Sequence, residues 1–170
     1  MIEDRQLSEH FRLYELTRTD HAQFQEMNRD VDEDQIEKLI WVASLLEIFR
    51  EILDVPLVIA SGYRCPALNR AVGSSSRSQH LLCEAADFVP MGMEVEKAFR
   101  TLRMASKMGK FKSGQLIYEK AARGYTGQTV EWIHASLGYP FRPLERSGQI
   151  LTMADGQYNL IETVPQTKEA

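Results

Sequence analysis

Residues 115–136 read QLIYEKAARGYTGQTVEWIHAS, two runs rich in β-branched and aromatic residues around a glycine-bearing loop. Gln115–Tyr118 and Thr129–Ser136 are strand candidates on that composition. Further along, Gln149–Met153 and Tyr158–Thr163 flank Ala-Asp-Gly, a turn sequence suited to a hairpin. Upstream the pattern changes period. Asp32 stands three before Gln35, the spacing of a capping box. Ile36, Leu39, Ile40, Ala43, Leu46, Phe49, Ile52 and Leu53 then fall at helical spacing, which predicts a helix over Asp32–Leu53. Between these regions the sequence predicts a buried strand over Val55–Ala60 and a short helix over Pro66–Ala71, closed by Gly73. A loop over 73–79, a strand over Ala85–Val89 and a helix over Glu94–Met108 follow. Helices early and strands late point to an α+β fold, a mainly antiparallel sheet flanked by helices.

A chain of 170 residues suits one domain over 1–170, with 1–30 as a docking arm around Leu7, Phe11, Leu13 and Leu16, and 165–170 as a frayed tail. The net charge of −4 argues against nucleic acid as a partner, because phosphate binding calls for a clustered basic face. The richest apolar run, Leu39–Phe49, is interrupted by Ser44 and Glu47 and is shorter than the about 20 residues a bilayer requires. The first ten residues lack the basic and apolar regions of a signal peptide, and a soluble monomer is expected. Cys65 and Cys83 form neither a disulfide framework nor a CxxC pair, so two free thiols are expected, with a bridge between them as the alternative.

Three side chains have the makings of a metal site: His80 and Asp87 in QHLLCEAAD, and His134 in EWIH. Two imidazoles and a carboxylate leave a zinc ion with net positive charge and an open position, as hydrolysis requires. Glu131, three before His134, is a candidate general base. On a regular strand those two positions face opposite ways, so that role requires a bulge or turn near Trp132.

Ser61-Gly62-Tyr63-Arg64, then Pro66 and Leu68-Asn69, then Ser78-x-His80 through Ala85 and Asp87, and finally Glu131-Trp132-x-His134 stand in the order seen in a known family. The chain resembles the zinc D-Ala-D-Ala carboxypeptidase family, which includes phage L-alanyl-D-glutamate endopeptidases and D-Ala-D-Ala dipeptidases and shares its fold with the hedgehog amino-terminal domain. The resemblance implies His80, Asp87 and His134 as zinc ligands and Glu131 as catalytic base. It also implies Arg64 as the cation beside the substrate's carbonyl or carboxylate, and Ser78 as a substrate-binding hydrogen-bonding group. It implies a peptidoglycan stem peptide as substrate; with no export signal read in the sequence, such an enzyme is expected to be made in the cytoplasm and to reach the wall through lysis, a holin or a virion. In two places the chain departs from the family pattern: Cys83 and Ser74 stand where glycine is usual. If the position of Cys83 has a positive φ, cysteine is strained there.

Other readings compete. Arg64 can simply pair with an acidic neighbour. Glu119 reads as structural, His10 and His21 as surface groups, and Trp132 as core packing or a pocket wall. Tyr139 and Phe141 can line a groove or cover a core edge. Cys83 can be a packing residue or a fourth zinc ligand that closes the site. The alternative to an enzyme is a non-catalytic zinc-binding module of a virion or tail.

Overall fold

The computed structural model describes residues 3–123, 127–154 and 156–166. Its first helices are short: α1 (Leu13–Thr17) and α2 (Gln25–Arg29). Then comes the long helix α3 (Glu33–Leu53), started by the Asp32–Gln35 capping box: Gln35 N donates to Asp32 Oδ1 at 2.8 Å, and Asp32 N donates back to Gln35 Oε1 at 2.9 Å. Its buried face includes Ile36, Leu39, Val42, Ala43, Leu46 and Phe49, whereas Ile40 is exposed. Phe49 carries the helix into the core, with ring centroids 5.7 Å from Phe88 and 4.8 Å from Phe111.

The remaining elements are β1 (Leu57–Ser61), α4 (Pro66–Ala71), β2 (Ala85–Pro90), α5 (Val95–Lys107), β3 (Gln115–Arg123), β4 (Gln128–Ser136), β5 (Gln149–Ala154) and β6 (Gln157–Thr163). Within β3 and β4 the strands run further than the apolar runs alone indicate. The strands form one sheet in the order β1-β2-β4-β3-β5-β6, antiparallel except where β3 meets β5. The α+β class with a mainly antiparallel sheet is thus what the chain adopts. The loop glycine and its neighbours at 124–126, Asp155 of the late hairpin turn and the tail residues 167–170 lie outside the described residues.

Register decides what each face carries. Ala86, Phe88, Tyr118, Leu116, Ile133 and Ala135 point into the core beneath α3 and α5. Asp87, Ile117, Glu119, Trp132 and His134 have the other parity and line a cavity on the opposite face.

The N-terminal segment through α1 buries Leu7, Phe11, Leu13 and Leu16 in the main core. It also approaches the Ser61–Arg64 motif closely. Tyr63 N donates to Leu16 O at 2.7 Å, and a Cβ on Gly62 would stand 2.2 Å from that same oxygen. Glycine at 62 is therefore required by contact, not by dihedral angle. Among the described residues no helix is long and apolar enough to cross a membrane.

Candidate metal centre and its cavity

Asp87 and His134 are direct partners across the β2–β4 ladder, which places their side chains next to each other on one face. His80 arrives from a 3-10 turn over Gln79–Leu82, ahead of β2. His134 Nδ1 lies 2.8 Å from Asp87 Oδ1, His80 Nε2 lies 3.2 Å from the same oxygen, and the two ring nitrogens are 3.3 Å apart. All three groups are buried.

The outer hydrogen bonds fix which atoms turn inward. His80 Nδ1 is 2.7 Å from Gly62 O, which can only accept, so the proton sits on Nδ1 and the Nε2 lone pair faces the cluster. Gln79 Nε2 donates to Ser136 Oγ at 2.8 Å, turning Gln79 Oε1 toward His134 Nε2 at 3.0 Å. That amide oxygen holds the second proton on Nε2 and leaves Nδ1 lone-pair inward. Two imidazole lone pairs and a carboxylate oxygen thus converge, an arrangement that repels itself unless a cation sits among them. The donor set and its outer partners fit a metal ion.

Burial opposes ionisation of Asp87. In the metal-free cluster, rings of His80 and His134 that carry the extra proton outweigh it by charge and hydrogen bonding and hold the carboxyl well below the usual carboxylate range, the place a bound cation would take. Arg64 closes this side: its Nη2 donates to Asp87 Oδ2 at 2.7 Å and its Nε to Ser61 Oγ at 2.8 Å. Arg64 therefore has an acidic partner, as the plainer reading allowed, and that partner belongs to the cluster. It also lines the cavity, as does Ser78.

Glu131 is elsewhere. The β3–β4 ladder runs through Trp132 without a bulge, so Glu131 takes the parity opposite to His134. Directly across from Lys120, it accepts an ion pair from that ammonium at 2.8 Å, which holds its carboxyl low. The base role that the resemblance implies for Glu131 required a bulge or turn near Trp132, and the β3–β4 ladder has none there.

Glu119 takes the place on the site face, opposite Trp132. It is 7% exposed and lines the cavity with the three cluster residues. Burial first, then the charge of Asp87, push its carboxyl up to about 7, against the pull of His134, Arg64 and a hydrogen bond from Trp132. Parity places it there: Glu119 is two residues from Ile117, the partner of His134, a register that only the folded sheet supplies. Gln79, which orients His134, gave no signal in the sequence.

A model of the family described as Peptidase M15 matches residues 9–122. The chain belongs to the peptidase M15 family. The match takes in Arg64, Ser78, His80, Asp87 and Glu119, and ends before Glu131 and His134. Among curated proteins none matches the chain. In this M15 chain the cavity over the cluster has a volume of about 980 Å³. One wall is apolar: Ile117, Leu151 and Met153 form a small cluster with Trp132 against it, which makes Trp132 a pocket wall. His21 is exposed and stands at the cavity edge, while His10 binds Glu47 at 2.8 Å. Phe141 packs on Trp41, with centroids 6.1 Å apart.

Cys83 closes the 3-10 turn with φ 58° and ψ 31°, so the left-handed backbone that favours glycine is present. Its thiol is fully buried in the main core and free, as is that of Cys65. Burial pushes the Cys83 thiol up to about 12. A thiol in that setting is a packing group and not a thiolate ligand.

Proposed function

We propose that the protein is a zinc metallopeptidase that hydrolyses an amide bond in peptidoglycan stem peptides, as a D-Ala-D-Ala carboxypeptidase or a related endopeptidase, with Glu119 as its general base. One observation carries the reading: two neutral imidazoles and a carboxylate aim lone pairs at one point on the floor of an open cavity, with a second, high-pKa carboxyl on the same sheet face. His80, Asp87 and His134 would hold the ion. When bound, zinc supplies Lewis acidity toward the scissile carbonyl and the attacking water.

The chain's own groups do the rest. Glu119 Oε takes a proton from the attacking water and later hands it to the departing amine. A carboxyl near 7 is suited to both directions, since it gives and takes protons with little penalty near neutral pH. Arg64 holds Asp87 with Nη2 and is steadied by Ser61 at Nε, and the donors that remain are available to a carbonyl or carboxylate oxygen in the cavity it lines. Ser78 borders the same space and can bind the peptide backbone. The apolar wall of Ile117, Leu151 and Met153 takes a small side chain such as alanine's methyl group.

The test is digestion of muropeptides by zinc-loaded protein, with mass spectrometry identifying the residue lost. Wild type and Glu131→Gln should release the same fragment at rates within a few-fold, and Glu119→Gln should be slower by about 10²–10⁴. Loss of activity in Glu131→Gln alone would return the base to Glu131. Stoichiometric zinc with no cleavage of any muropeptide would favour a non-catalytic module.

A further inference from the structure

Arg142 follows β4 and lines the same cavity. Its stem lies across Gly114, where an added Cβ would come within 2.8 Å of Arg142 Cδ and 2.7 Å of Ser136 Oγ. Ser136 in turn holds Gln79, and Gln79 holds His134. Arg142 therefore sits on the Gln79 side of the cluster, the side away from the Arg64–Asp87 pair. Glycine at 114 is what lets the arginine pass so close to the strand.

The cavity's arginines differ in one respect. Arg64 is paired with Asp87, Arg18 bonds Ile59 O at 2.9 Å and lies 3.7 Å from Asp20, and Arg77 at the cavity rim is exposed, so water solvates its charge. Arg142 has no carboxylate within ion-pair distance among the described residues, and its Nη1 is cut off from solvent with no hydrogen-bond partner. Of the charges that act on it, Glu84 is already bound to Lys38 Nζ at 2.8 Å, and Arg146 repels it. The buried Nη1 anchors nothing, and Nε and Nη2 are the donors left to the cavity; a guanidinium whose charge no carboxylate matches can grip an incoming planar anion through that edge with two parallel hydrogen bonds.

We propose that Arg142 is a specificity-determining residue that binds a free carboxylate of the substrate on the Gln79 side of the cavity. The proposal rests on the peptidase reading of that cavity. Two carboxylates fit the chemistry: the C-terminal one of the residue released, or one carried by an acidic residue within the stem.

The experiment compares wild type, Arg142→Gln and Arg142→Lys, all zinc-loaded. Each is given a stem peptide with both carboxylates free, the peptide with a C-terminal carboxamide, and the peptide with its internal acidic carboxylate amidated. Thermal melting confirms that the variants fold. On the free peptide Arg142→Gln should raise KM by about 10- to 100-fold with kcat within a few-fold, and lysine should recover part of the loss. On whichever amidated peptide removes the partner, wild type should already be weak and the glutamine variant no weaker. That peptide identifies the source. Equal loss on all three peptides, or none on any, overturns the proposal while leaving the peptidase reading intact. Calorimetric titration of the same peptides into the Glu119→Gln protein, with and without Arg142→Gln, reads recognition without turnover. Carboxylate-dependent binding without cleavage by wild type would support Arg142 and sink the peptidase reading. Failure of all three peptides to bind would overturn both.

Discussion

Glu119→Gln should stabilise the metal-free protein at alkaline pH. Glu119 is 7% exposed, and burial together with the charge of Asp87 moves its carboxyl from an ordinary 4.5 to about 7. A shift of that size corresponds to about 3 kcal/mol of differential stabilisation between the two protonation states. The sign follows from the direction. The folded protein holds this proton more tightly than the unfolded chain does, so wild type loses stability as pH rises from about 4.5 through about 7. Glutamine keeps the shape and has no charge to bury. The stability gap between variant and wild type should therefore be small at pH 4 to 5 and grow to about 3 kcal/mol in favour of the variant by pH 8 to 9. Urea titrations in chelator, at several pH values and with matched slopes, measure the gap. Adding zinc should narrow it, because a cation at the cluster favours the ionised carboxylate. A gap that stays constant with pH, or a variant less stable than wild type at pH 8, would refute the placement of Glu119 in a dry, acid-flanked site.

The other expectations are more direct. His80→Ala and His134→Ala should each lose stoichiometric zinc on dialysis, since two remaining ligands hold the ion poorly; metal analysis decides it. Gly62→Ala should cost about 2–4 kcal/mol in denaturant unfolding, because the new Cβ meets the Leu16 carbonyl, which is backbone. It should also weaken zinc binding, because Gly62 O orients His80. Cys83→Ser should leave zinc affinity and turnover within a few-fold of wild type while lowering stability by about 1–3 kcal/mol, the cost of burying a hydroxyl without a partner. A large gain in activity with weaker zinc binding would instead mean that the thiol was a ligand. Two thiols per unfolded chain without reductant should be counted.

The elements were legible in the sequence because each is specified locally. The Asp32–Gln35 box, Pro66 at a helix start and the β-branched runs act over a few residues, and the helices and strands follow them closely. The left-handed turn at residue 83 had no local signal, since cysteine does not favour that backbone; only the resemblance, in which glycine is usual there, raised it as a condition. His80, Asp87 and His134 could be singled out by residue type and spacing, but sequence could not say that their lone pairs meet; that depends on Gly62 and Gln79 holding the outer nitrogens.

Which carboxylate faces the cluster was decided only by the sheet. A glutamate three residues from a histidine is near it along the chain, yet an unbroken strand turns the two to opposite faces, and Lys120 neutralises Glu131 there. Glu119 and His134 are 15 positions apart and share a face because β3 and β4 pair in one register. The approach of Arg142 over Gly114 is of the same kind. Local preference reaches a few residues along the chain. Strand register and close packing compare residues far apart, and only the folded chain brings them within reach of one another.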